Sequence, residues 1–209
     1  MGDTTEPRTG GRVLVDQLAI HGVERVFCVP GESYLAALDA LHDTPEIALT
    51  VCRQEGGAAM MADAHAKLTG QPGVCFVTRG PGACNAASGV HVAFQDSTPM
   101  VLLIGQVGRA MRDREAFQEI DFRNMYGELA KWVAQVDDPA RLPEYLSRAF
   151  HTAQQGRPGP VVLALPEDVL SEDVDTLDAR PARPAVARPG AEEMTELRDR
   201  LARAERPLA

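Results

Sequence analysis

Residues 73–104 read GVCFVTRGPGACNAASGVHVAFQDSTPMVLLI, and their pattern decides the fold. An apolar run (74–78) leads into a Gly-Pro-Gly loop, then a small-residue helical pattern (83–94), then a second apolar run (100–104). Both runs are short and apolar nearly throughout, as strands covered on both faces are. Strand, helix and strand in that order argue for a parallel pair joined by a crossover helix.

The alternation extends in both directions. Further strands are expected at 25–29, 47–51, 132–136 and 161–165, and further helices at 13–21, 33–42, 55–69 and 139–155. The fold class is therefore α/β: a six-stranded, mostly parallel sheet with helices on both faces. All ten aromatic residues lie at or before Phe150. Beyond Leu165 the composition turns to proline, small residues and acids, so 166–190 reads as a linker. A charged helix is expected at 191–205, with Met194, Leu197, Leu201 and Ala204 on one side. The expected organisation is a domain over 1–165, a linker over 166–190 and the start of a further, truncated domain over 191–209, where Pro207-Leu208-Ala209 approach another strand.

Composition excludes several classes of function. The 209 residues suffice for one large core, and 44% hydrophobic with 24% charged residues is a globular balance. The net charge is −9 with no basic cluster, which argues against a nucleic-acid partner. No apolar run approaches the ~18 residues of a membrane span, and residues 1–11 lack the apolar core of a secretory signal. Cys28, Cys52, Cys75 and Cys84 form no CxxC and read as reduced residues of a cytoplasmic protein. The five histidines have no metal-ligand spacing with each other or with the cysteines, so no metal ligand is expected.

Ligands of parallel sheets bind beyond the carboxyl ends of the strands. After 25–29 comes Pro30-Gly31-Glu32-Ser33. Gly31 permits a close backbone approach and Ser33 suits a helix cap; a plain capped turn explains both equally. After 47–51 comes Arg53-Gln54-Glu55-Gly56-Gly57-Ala58-Ala59. An acid at a helix start gains ~0.3–1 kcal/mol from the helix dipole. That does not explain the four small residues, which clear room for a flat ligand or for tight packing. After 74–78, Gly80 and Gly82 half-match a dinucleotide fingerprint, but Asn85 stands where its third glycine belongs. Ile104 is followed by Gly105-Gln106 and not by the acid such a site needs. No Walker loop and no G-x-S-x-G elbow is present. In the long connection after 100–104, Phe117-Gln118 is a candidate pocket wall or a surface helix start.

Five stretches, in order, resemble the pyrimidine-binding domain of thiamine-diphosphate enzymes, in their acetolactate synthase-like branch: VFCVPGESY, CRQEGGAAMMADAHAKLTG, GVCFVTRGPGACNAASGVHVAFQDSTPMVLLIGQV, REAFQEIDF and GRPGPVVLALPEDV. They span about residues 11–170, and AERPLA at the end is similar to the start of that family's central domain. The resemblance implies that Glu55 is catalytic: it hydrogen-bonds the cofactor's aminopyrimidine ring nitrogen and favours the imino tautomer, which takes the thiazolium proton. It also implies that Pro30, Gly31, Gly80, Pro81, Gly82 and Asn85 lie at the cofactor, and that Glu32, Phe117 and Gln118 line the substrate pocket. Glu32 departs from the family's usual Gly or Ser, and Gln54 from its frequent His.

The implied activity is decarboxylation of a 2-keto acid such as pyruvate, with carboligation. The implied cofactor is thiamine diphosphate with Mg2+, held through a Gly-Asp-Gly…Asn motif on another domain; this chain has no Gly-Asp-Gly. Some members bind FAD in the central domain, outside the stretches matched here. The two halves of such a site come from different subunits, so a homodimer or homotetramer is implied, with an apolar partner-facing surface. Two alternatives are a small subunit that pairs in trans with a diphosphate-binding chain, and a non-catalytic interaction domain of the same fold.

Overall fold

Every residue of Gly73–Val77, Met100–Gln106 and Pro160–Pro166 is buried, as strands with helices above and below must be. The computed structural model describes residues 6–207. In chain order these form β1 (Arg8–Thr9), α1 (Gly10–Ile20), β2 (Arg25–Cys28), α2 (Leu35–His42), β3 (Ala48–Val51), α3 (Glu55–Thr69), β4 (Gly73–Val77), α4 (Pro81–Gln95), β5 (Met100–Gln106), α5 (Phe122–Tyr126), β6 (Trp132–Gln135), α6 (Leu142–Gln154), β7 (Pro160–Pro166), α7 (Glu167–Ser171), β8 (Asp173–Val174) and α8 (Ala191–Arg203). Residues 1–5 and 208–209 lie outside the described residues. With them goes part of the N-terminal stretch read at 1–11 and of the strand approach expected at 207–209.

The main sheet has the order β3-β2-β4-β5-β7-β6, and all of its pairs are parallel. The six strands expected from the sequence are these six. Alternate residues feed two cores. Val26, Cys28, Val74, Phe76, Leu103 and Leu163 meet α1, α2 and α6 on one side. Phe27, Cys75, Val77, Leu102, Ile104 and Val162 meet α3, α4 and α5 on the other. Full burial of each such side chain contributes ~1.5–3 kcal/mol.

From β2 the chain steps outward to β3, then crosses back over β2 to β4. The helix after β2 therefore covers one face and the helix after β4 the other. The crevice between the carboxyl ends of these neighbouring strands is the topological switch point, where open α/β sheets bind ligands.

Helices α3 and α4 pack through small residues. A Cβ added to Gly89 would lie 2.4 Å from the Ala59 Cβ, so the backbones approach as only glycine allows. Gly73 does the same beneath α3, where a Cβ would lie 2.0 Å from the Ala62 carbonyl oxygen. Glycine and alanine in α3 thus serve packing as well as any ligand. The helix starts where the Gln54 side chain accepts from the Gly57 N–H (2.8 Å) and stops at left-handed Gly70 (φ +72°).

The stretch read as a linker begins inside the folded body. Val169 and Leu170 of α7 are fully buried, and β8 pairs antiparallel with β1. Arg109 donates to Asp168 and Glu172 and holds this segment down. Two apolar residues among acids suffice here because they close one end of the α1 side of the core. Residues 175–190 form no helix or strand. Every residue of α8 is exposed, including Met194, Leu197 and Leu201.

Candidate active site

Glu55 is the first residue of α3, just past the carboxyl end of β3. It is half-buried. Its Oε2 accepts from Asn85 Nδ2 of α4 at 2.9 Å. Its Oε1 accepts no hydrogen bond from the described residues. Gly82 lies beside it, and a Cβ there would stand 3.5 Å from Oε1 and 2.8 Å from Thr78 Cγ2. A carboxylate with one oxygen tethered and the other open is poised to accept from a ligand N–H.

The loops after β2 and β4 close on each other and on the end of β5. Ser33 Oγ and Thr78 Oγ1 are hydrogen-bonded at 2.7 Å. A Cβ on Gly31 would lie 2.5 Å from Thr78 Cβ, and one on Gly105 would lie 2.2 Å from Ser33 Oγ. Gly31 therefore buys close loop packing, whereas Pro30 is exposed. Ser33 does not cap α2; it is buried against Thr78.

Phe117 and Gln118 reach the loop after β4. Gln118 is left-handed (φ +66°), and a Cβ on Gly80 (φ +59°) would fall 2.6 Å from Gln118 Cβ. Phe117 is 72% exposed. Its carbonyl accepts from Arg79 Nε at 3.1 Å. Arg79 Nη1 donates to Glu167 Oε2 (3.0 Å), and Nη2 stands 3.5 Å from Glu32 Oε1. Glu32 is therefore offset by a guanidinium and is not a lone acid. No motif in the sequence marks Arg79. The sequence held one signal for it, a cation two residues past an apolar run.

The buried Cys28 and Cys75 thiols are held protonated. Burial pushes Cys28 up to about 11, with the nearby Cys52 adding to it, and burial raises Cys75 further. All four cysteines are free. Among the described residues, no three His, Cys, Asp or Glu side chains are arranged to hold a metal ion. No helix among them is long and apolar enough to cross a membrane.

Residues 8–125 match the thiamine pyrophosphate enzyme, N-terminal TPP binding domain. The chain belongs to the thiamine pyrophosphate enzyme family. Similar proteins include the acetolactate synthase of Arthrospira platensis, 40% identical over 176 residues, which cover 83% of this chain and 30% of that protein. The acetolactate synthase large subunit of Pyropia yezoensis is 37% identical over 196 residues, covering 92% of this chain and 33% of its own length. The acetolactate synthase isozyme 3 large subunit of Escherichia coli (strain K12) is 41% identical over 166 residues, covering 79% and 29%. The chain spans about a third of the length of the curated relatives it matches.

Membership of the thiamine pyrophosphate enzyme family implies thiamine diphosphate as the ligand class of this domain. The observed donor set suits the pyrimidine end of the cofactor, because it offers an open carboxylate oxygen and a glycine-lined approach. Arg79, the cation beside Glu32 and Glu167, is already committed to them and is not free for a diphosphate.

Proposed function

We propose that this chain supplies the aminopyrimidine half of a thiamine-diphosphate site in an acetolactate synthase-like lyase or transferase. The observation that carries the reading is the Glu55–Asn85 pair, with Oε1 of Glu55 open. Bound thiamine diphosphate supplies an electron sink for decarboxylation of a 2-keto acid such as pyruvate. Glu55 would hold a proton at its Oε1 toward the pyrimidine end of the cofactor. Asn85 keeps that carboxylate in place. Pro30, Gly31, Gly80, Pro81 and Gly82 form the wall along which the ring approaches. Phe117 and Gln118 face the second substrate in carboligation, with Glu32 at the mouth.

The diphosphate and its Mg2+ are bound by a part of the protein outside this chain, contributed by a neighbouring subunit. Supporting a homodimer or homotetramer, α3 exposes Met60, Met61 and Leu68, and Val51 is exposed at the end of β3. Exposed apolar side chains on one helix suit burial against a partner. The free cysteines suit a reducing compartment, and we place the protein in the cytoplasm.

Native mass spectrometry of the full-length protein tests the proposal. Thiamine diphosphate and magnesium in at least a dimer are expected. A full-length protein that takes up no thiamine diphosphate at saturating cofactor contradicts it.

A further inference from the structure

The connection between β5 and α5 is long and strained. Asp113, Glu115 and Gln118 all adopt left-handed backbone, at φ +60°, +52° and +66°. For residues other than glycine this conformation is costly and persists only where surroundings enforce it. Near Asp113 the enforcement is internal, since Glu119 accepts from the Asp113 and Ala116 N–H groups at 2.7 and 3.1 Å. At the base, Arg109 is tied to Asp168, Glu172 and the Asp137 carbonyl. At the tip the Phe117 ring is 72% exposed and does no anchoring.

The tip is held from below by Arg79. Its side chain is 8% exposed, and its three partners sit on three separate segments. Nε donates to the Phe117 carbonyl, Nη1 to Glu167 of α7, and Nη2 faces Glu32 of the loop after β2. The Glu167 contact fixes the plane of the guanidinium, and that plane aims Nε at the loop. Gly80, the next residue, leaves room for Gln118 to settle.

We infer that Arg79 is a positioning residue, a clamp that sets the Phe117–Gln118 tip over the Gly80–Gly82 loop and thereby fixes the substrate side of the site. The substrate part of this inference rests on the function proposed above; the clamp itself does not. A lysine keeps the charge but not the planar fork, so it keeps one link at most. Without any clamp the tip leaves its left-handed conformation and the pocket wall loosens.

The test uses the full-length protein with Arg79→Met and Arg79→Lys. Trypsin reports the loop directly, because Arg112 and Arg114 are exposed within it. Steady-state kinetics on pyruvate reports the pocket. Arg79→Met is expected to speed cleavage at Arg112 and Arg114 at least about tenfold, since a lost tip contact of ~1.4 kcal/mol is a factor of ten. It is also expected to raise KM about tenfold with kcat within about threefold, and Arg79→Lys to fall between. Should the Met variant fail to fold, the Lys variant still shows the intermediate cleavage rate and KM. Cleavage within about twofold of wild type overturns the clamp. A freed loop with unmoved KM, or a fall confined to kcat, overturns its role on the substrate side. If wild type binds no thiamine diphosphate, the proposed function falls, and the proteolysis still decides the clamp.

Discussion

Asn85 Nδ2 donates to Glu55 Oε2 at 2.9 Å, and so joins two helices that leave the sheet from different strands. The bond orients the acid and leaves Oε1 toward the crevice. Asn85→Ala removes a donor to a half-exposed carboxylate without touching the core. Turnover of the full-length variant is expected to fall about tenfold, or ~1.4 kcal/mol of activation free energy, with an unchanged thermal midpoint. Unchanged turnover would show that the carboxylate needs no tether.

The seam between α3 and α4 should resist enlargement. Gly89→Ala places a methyl 2.4 Å from the Ala59 Cβ, so the helices must part. Overpacking of this kind costs ~1–3 kcal/mol, against which alanine regains up to ~1 kcal/mol of helix propensity. Urea denaturation is expected to show a net loss, partly restored by adding Ala59→Gly. A more stable Gly89→Ala protein would mean that the helices have slack.

His21 links stability to pH. Burial lowers its pKa from the ordinary 6.5, against a smaller opposite pull from the Gln17 carbonyl that its Nδ1 contacts. Its ring stacks on Phe150 at 4.6 Å. The unfolded chain takes up the proton first as pH falls, so this contribution is full above pH 6.5 and is lost on descending from there through the lower folded value. Urea midpoints between pH 7.5 and 5 should decline less in His21→Gln than in wild type. Parallel declines would assign the effect to other groups.

The outward face of α3 predicts association. Met61→Asp with Leu68→Glu puts two charges among Met60 and Val51, all exposed in the single chain. Sedimentation of the full-length protein is expected to show a shift toward monomer and, with the site split between subunits, a loss of activity. An unchanged oligomer would place the interface elsewhere.

Much of this was legible because local signals carried it. The bounds 55–69 expected for α3 are those observed, since Gln54-Glu55 opens the helix and Gly70 closes it. The six sheet strands were legible because double burial leaves continuous apolar runs. What escaped depended on distant partners. Two-residue β1 and β8 exist only through each other, 164 and 166 residues apart by their register. Helix α7 shows two apolar residues among acids, too few to stand out from a linker. Arg79 meets Phe117 and Glu167 across 38 and 88 residues, and no periodicity reports that. The small residues of α3 suggested a ligand or tight packing, and Gly56 and Ala59 do face α4.

The central claim is that Glu55 manages a proton for bound thiamine diphosphate. Hydrogen–deuterium exchange at the cofactor's thiazolium C2, followed by quenched-flow NMR on the full-length protein, tests it most directly. Glu55→Gln should slow exchange by ~10²–10⁴-fold, the range of a lost general acid–base group, with cofactor still bound and the fold intact. Equal exchange rates in the two proteins, both loaded with cofactor, would contradict the account.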